Sequence, residues 1–184
     1  MRLVEGGASL IQLREKHASP SDFYRDAKRA LAFARQHNCH LIINDRLDIA
    51  FALGADGVHL GQGDMPVQAA RRILGESGLI GFSTHNLSQA EKALSLPIDY
   101  VAFGPVFETG TKKDHEPIVG LEQLNAVRGV LGSSQLVAIG GITLENVQQV
   151  LAAGSDSVAV ISAILSDPAK ISENFARMLA CAER

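Results

Sequence analysis

In the stretch ASLIQLREK (residues 8–16), side chains alternate if the chain is extended, so Gln12, Arg14 and Lys16 point the same way. Two cations and an amide on one side of an apolar strand are costly to bury without a partner. Other polar residues stand at the ends of later apolar runs. Asn44 and Asp45 close HLIIND, and Gln62 and Asp64 follow GVHLG. Ser83 lies in LIGFST, and Thr109, Thr111 and Lys112 fall in the polar loop FETGTKKDHEP. Arg14, Lys16 and Lys112 beside Asp45 and Asp64 make sense for a diphosphate carrying Mg²⁺. Carboxylate oxygens would hold the metal, the metal would hold phosphate oxygens, and Arg and Lys would neutralise the rest. Each residue also has a plainer reading. Asp64 could cap a helix, Asp45 could pair with Arg46, and Lys112 and Lys113 could be a solvated loop.

A second anion site is suggested by AIGGIT and AVISA. Gly141 allows close backbone approach, and amides around Ile161 and Ser162 could meet a phosphate monoester. Ordinary tight turns are the alternative. The loop FETGTKKDHEP is long and polar enough to act as a lid. The histidines suggest little: His59 reads as a hydrogen-bonded barrel residue rather than a base, while His85 follows Ser83 at a strand end. No nucleophile–base pair and no His/Cys metal set stands out.

These residues need a scaffold that gathers strand ends. Seven apolar runs (residues 9–15, 40–45, 57–61, 79–84, 99–105, 135–141 and 157–163) are short and bounded by Gly, Asp, Pro or Ser, as strands of a buried parallel sheet are. Amphipathic segments alternate with them. Ser19-Pro20 with Asp22 opens one helix, with Phe23, Ala27, Leu31 and Ala34 as its apolar face. Thr143 is expected to open another and Asp167-Pro168 the last. GADGVHL, PIDYVAF and GSDSVAV echo one another, each placing an Asp just before a Val-containing strand.

Strict alternation of strand and helix gives an α/β fold, a TIM (β/α)₈-type barrel as one domain over residues 1–184. MRLVEGG reads as the tail of a helix, so strand 1 and the start of helix 1 are missing and seven strands are readable. An upstream start codon is the preferred explanation. The two open edges predict a marginally stable or aggregation-prone chain. In such barrels the active site lies at the C-terminal ends of the strands, where the polar set falls.

The 184 residues are 46% apolar and 20% charged, with a formal net charge of −3. That balance argues against nucleic acid or a membrane surface as partner. No apolar run approaches the roughly 18 residues of a spanning helix, and the N-terminus has no signal-peptide pattern. Two distant cysteines suit a reduced cytoplasmic protein.

The strings QLREK, IINDRLDIAFALGADGVHLGQGD, GFSTHN, VAFGPVFETGTK, VAIGGIT and VAVISAI, in this order, resemble the thiamine-phosphate synthase (pyrophosphorylase) family from about residue 3 onward. The resemblance implies a transferase of thiamine biosynthesis that joins hydroxymethylpyrimidine diphosphate to thiazole phosphate, releasing pyrophosphate. It implies Gln12, Arg14, Lys16 and Asn44 holding the pyrimidine diphosphate, Mg²⁺ on Asp45 and Asp64, and Ser83 in contact with the pyrimidine substrate. Thr109, Thr111 and Lys112 would come from the closing loop, and Gly141, Ile161 and Ser162 would bind the thiazole phosphate. The implied mechanism is dissociative, with Arg14, Ser83 and Lys112 as catalytic groups. A thiazole tautomerase would need no diphosphate set, a non-catalytic binder would lack the carboxylates, and a sugar-phosphate isomerase would want an acid/base pair. The partners are small molecules, with a homodimer left open.

Overall fold

The computed structural model describes residues 2–110 and 116–182. All seven expected strands form: β1 (Leu10–Leu13), β2 (His40–Asn44), β3 (Gly57–Leu60), β4 (Leu79–Thr84), β5 (Tyr100–Phe103), β6 (Leu136–Ile139) and β7 (Ser157–Ala159). They pair in parallel in chain order, β1 to β7. The helices are α1 (Arg2–Glu5), α2 (Pro20–Gln36), α3 (Leu47–Leu53), α4 (Val67–Leu74), α5 (Leu87–Ala93), α6 (Gly120–Leu131), α7 (Val147–Ala152), α8 (Ser162–Leu165) and α9 (Ile171–Ala182). The Gln12 side chain on β1 reaches the neighbourhood of the Tyr100 phenol on β5, four strands away, which requires the sheet to curl.

Among the described residues β1 and β7 are edge strands and do not pair with each other. The helical layer nevertheless meets across this seam. The Ser172 hydroxyl on α9 donates to the Arg2 carbonyl at 2.7 Å. Gly6 fits so closely that a side chain there would lie 2.7 Å from the Ser172 carbonyl.

Local signals set most boundaries. Ser19 caps α2, accepting the Asp22 N–H at 3.1 Å, and Phe23, Ala27, Leu31 and Ala34 are its buried face. Thr143 does not open α7. Asn146 accepts the Thr143 N–H and donates to the Gly141 carbonyl, pinning residues 143–146 as a turn, so the helix starts at Val147. Asp167 likewise closes a local turn onto the Ala169 N–H, and α9 begins at Ile171. One core cluster lies under α2–α4 and another under α5–α9, with Phe82 and Ile98 touching both.

The echoed aspartates have a common role at the N-terminal ends of the strands. Asp56, Asp99 and Asp156 accept the N–H of Leu41, Ile80 and Leu136, each at 2.7 Å. Each also holds a basic partner: His40 for Asp56, Arg71 for Asp99 and Arg128 for Asp156. Arg71 and Arg128 spend their other N–H groups on loop carbonyls of Gly75, Gly78 and Pro97, and of Gly132, Ser134 and Gly154. One brace thus recurs around the face opposite the site.

Candidate active site

Gln12, Arg14 and Lys16 lie on or just past β1, Asn44 and Asp45 at the end of β2, Asp64 beyond β3 and Ser83 near the end of β4. The curl gathers them at the C-terminal end of the sheet.

Asp45 sits in the left-handed region with φ of 61°, its N–H bonded to the His59 carbonyl on the neighbouring strand. Its carboxylate turns to Lys16, 3.1 Å away. Arg46 instead pairs with Asp48 at 2.6 Å, so Asp45 is not spent on Arg46. Asp64 does not cap α4, whose N-cap is Pro66; its carboxylate accepts the Gly61 N–H at 2.7 Å and lies close enough to the Asp45 carboxylate to feel its charge. Burial holds the Asp64 carboxyl above its ordinary value, with the Asp45 charge adding to that and the Gly61 amide and Lys16 opposing it. Two carboxylates this close repel unless a proton or a cation lies between them. No cluster of three or more His, Cys, Asp or Glu able to hold a metal occurs among the described residues.

Arg14 is half-buried and, among the described residues, forms neither an ion pair nor a hydrogen bond. A guanidinium two residues before Lys16, with no partner of its own among the described residues, is a receptor for an anion. Asn44 and Ser83 are buried, 8% and 6% exposed. The Gln62 amide secures the Ser83 carbonyl at 2.6 Å. Thr109 is half-buried, while Thr111 and Lys112 lie outside the described residues.

Gly141 has φ of 67°, and a side chain there would lie 2.5 Å from the Glu108 carbonyl. Its glycine is therefore demanded by the segment after β5 that packs on it. Ile161 and Ser162 are exposed where β7 turns into α8. His85 contacts the Gly104 carbonyl at 2.6 Å. His59 is hydrogen-bonded, as its sequence context suggests, but one of its partners is Ser83 itself, at 2.8 Å. Sequence reasoning missed this link because nothing local joins residues 59, 83 and 100.

Parallel strands in sequential order with alternating helices define a barrel-type α/β fold, and an acidic–basic cluster sits at the C-terminal strand ends, where enzymes of this architecture carry their active sites. The sequence model of the thiamine monophosphate synthase family matches residues 1–164, and the chain belongs to that family. It is 48% identical over 164 residues to the thiamine-phosphate synthase of Clostridium novyi, covering 89% of this chain and 80% of that one. It is 45% identical to that of Koribacter versatilis, covering 96% and 83%. A solved thiamine phosphate pyrophosphorylase from Pyrococcus furiosus superposes with a TM-score of 0.88 at 34% identity, covering 99% of this chain and 86% of that one. Phosphoribosyl anthranilate isomerase from Thermotoga maritima, at 18% identity and a TM-score of 0.71, shares the fold alone.

Proposed function

We propose that the chain, acting as one domain in the reducing cytoplasm, condenses hydroxymethylpyrimidine diphosphate with thiazole phosphate to give thiamine phosphate and pyrophosphate. The observation carrying this reading is the Asp45–Asp64 pair with Lys16 ion-paired to Asp45, and an Arg14 two residues earlier that makes no ion pair among the described residues, in a member of this family. The charges suit the substrate. A diphosphate ester carries roughly −3 at neutral pH, and a divalent cation on Asp45 and Asp64 reduces that only partly. Arg14 and Lys16 take up the remainder, with Lys112 as a further cation.

Asp45 and Asp64 fit Mg²⁺, since their mutual repulsion is what a hard dication relieves; when bound, Mg²⁺ would supply charge withdrawal from the departing diphosphate. Arg14 binds that group and stabilises the charge it gains as the carbon–oxygen bond breaks. Lys16 neutralises Asp45 before substrate arrives and is free to swing to phosphate oxygens afterwards. Asn44 and Ser83 orient the pyrimidine. The methylene carbon, left electron-poor, is attacked by the thiazole nitrogen, so positioning and charge stabilisation carry the rate and no strong base is needed. Gln12, Thr109 and Thr111 complete the diphosphate and loop contacts, and Gly141, Ile161 and Ser162 face the thiazole phosphate.

The test is product formation by the purified chain with both substrates and Mg²⁺, read by mass spectrometry. Thiamine phosphate formed only when both substrates and the metal are present is expected. A folded chain that binds Mg²⁺ yet forms none overturns the proposal.

A further inference from the structure

Three residues without a place in that chemistry are built around Ser83. His59, Gly81 and Tyr100 occupy one row across β3, β4 and β5, since Gly81 is in register with both His59 and Tyr100. Because Gly81 has no side chain, the Tyr100 ring leans across β4. A Cβ at position 81 would lie 2.0 Å from Tyr100 Cζ and 2.5 Å from His59 Nδ1. The phenol oxygen meets His59 Nδ1 at 2.9 Å, and His59 Nε2 meets Ser83 Oγ at 2.8 Å. From the other side, the Gln12 side chain reaches toward the phenol. Ser83 Oγ makes no other hydrogen bond among the described residues.

Each group has few protons to give, so the direction of the chain can be followed. If the Gln12 amide turns its N–H rather than its carbonyl to the phenol oxygen, the Tyr100 proton is left for His59 Nδ1. Nδ1 is then bare and the ring proton sits on Nε2. Nε2–H donates to Ser83 Oγ, and the Ser83 proton is left for whatever lies in the site. Burial pushes the Tyr100 ionisation upward, so the phenol keeps its proton at neutral pH.

We propose that Tyr100 and His59 are positioning residues that polarise Ser83, making it a hydrogen-bond donor that selects a ring-nitrogen acceptor over a donor group on the pyrimidine. The selection rests on the proposed function; the polarity of the relay does not. Run in reverse, the same contacts would put the proton on Nδ1 and make Ser83 an acceptor.

The tautomer of His59 decides between the two directions. In substrate-free protein labelled with ¹⁵N-histidine, with His59 assigned through its backbone, the Nδ1 and Nε2 shifts of the neutral ring report which nitrogen is protonated. Nε2–H is expected, and Nδ1–H overturns the proposal whether or not the chain turns over. Tyr100→Phe keeps the ring but removes the donor. It should mix the tautomers, lower kcat/KM for the pyrimidine diphosphate roughly tenfold, the effect of one lost oriented hydrogen bond, and leave the KM for thiazole phosphate unchanged. An unaltered tautomer in Tyr100→Phe, or an equal rise in both KM values, also refutes the relay. Absence of turnover in a wild-type chain with the Nε2–H ring refutes the function and leaves the relay standing.

Discussion

Arg71→Met separates what holds the barrel from what works in it. The Arg71 side chain is 12% exposed and bonds the carbonyls of Gly78 at 2.6 Å, Gly75 at 3.0 Å and Pro97 at 3.1 Å, besides Asp99 at 2.7 Å. Methionine keeps the apolar stem and removes every donor. Each carbonyl bond contributes about 1 kcal/mol net, because water partly replaces the lost partner. The ion pair contributes less than about 1 kcal/mol, since Asp99 is 37% exposed and screened. The variant should therefore lose about 3 kcal/mol. Unfolding entropy near 2.1 cal/mol/K per residue, over 184 residues, converts this to a fall in Tm of roughly 8 °C. Thermal melts by circular dichroism measure the fall, and kcat/KM well below the transition should match wild type because the brace faces away from the site. A Tm within about 2 °C of wild type, or reduced turnover in fully folded protein, would show that the brace does not stabilise as argued.

Further perturbations act on the site. Asp64→Asn should raise Tm in metal-free protein while abolishing Mg²⁺-dependent turnover, since it removes repulsion from Asp45; a lowered Tm would contradict the electrostatic account. The folded-state Asp64 ionises above its ordinary value, so its contribution to stability is present at low pH. That contribution is lost as pH rises from the ordinary carboxylate range through the raised one. The difference in Tm between wild type and Asp64→Asn should therefore widen over that interval in pH-resolved melts. Mg²⁺ at about 100 times its Kd should stabilise wild type by about 2.7 kcal/mol, roughly 7 °C, and leave Asp64→Asn nearly unmoved. Gly81→Ala should cost about 2 kcal/mol, because its Cβ occupies the Tyr100 ring's place; denaturant titration measures the loss.

The sheet was legible because buried parallel strands are short apolar runs bounded by turn residues, and residues 40–44 and 79–84 show this without tertiary information. The gathering of the candidate residues at one end of the sheet was legible because strand ends converge in such folds. Their partners were not. Whether Asp45 turns to Arg46 or to Lys16 depends on a positive φ at one position, and the role of Asp64 depends on the loop returning to Gly61. The aspartate echo was visible as a pattern, but its meaning was not, because Arg71 and Arg128 come from preceding helices 28 residues before Asp99 and Asp156. The start of α7 was misplaced because Asn146, by taking the Thr143 N–H and bonding the Gly141 carbonyl, holds residues 143–146 as a turn.

Among the described residues β1 and β7 are the edge strands, and that position has a consequence in time. Amides of β4, flanked by three strands on either side, open only when the whole sheet does, whereas those of β1 and β7 can open as the seam frays. Deuterium uptake should therefore be graded around the ring, fastest at its two ends. Arg14 and Lys16 stand beside the faster end, while Ser83 sits at the slowest strand. The diphosphate would thus be gripped by the part of the molecule that breathes, and the pyrimidine by the part that does not.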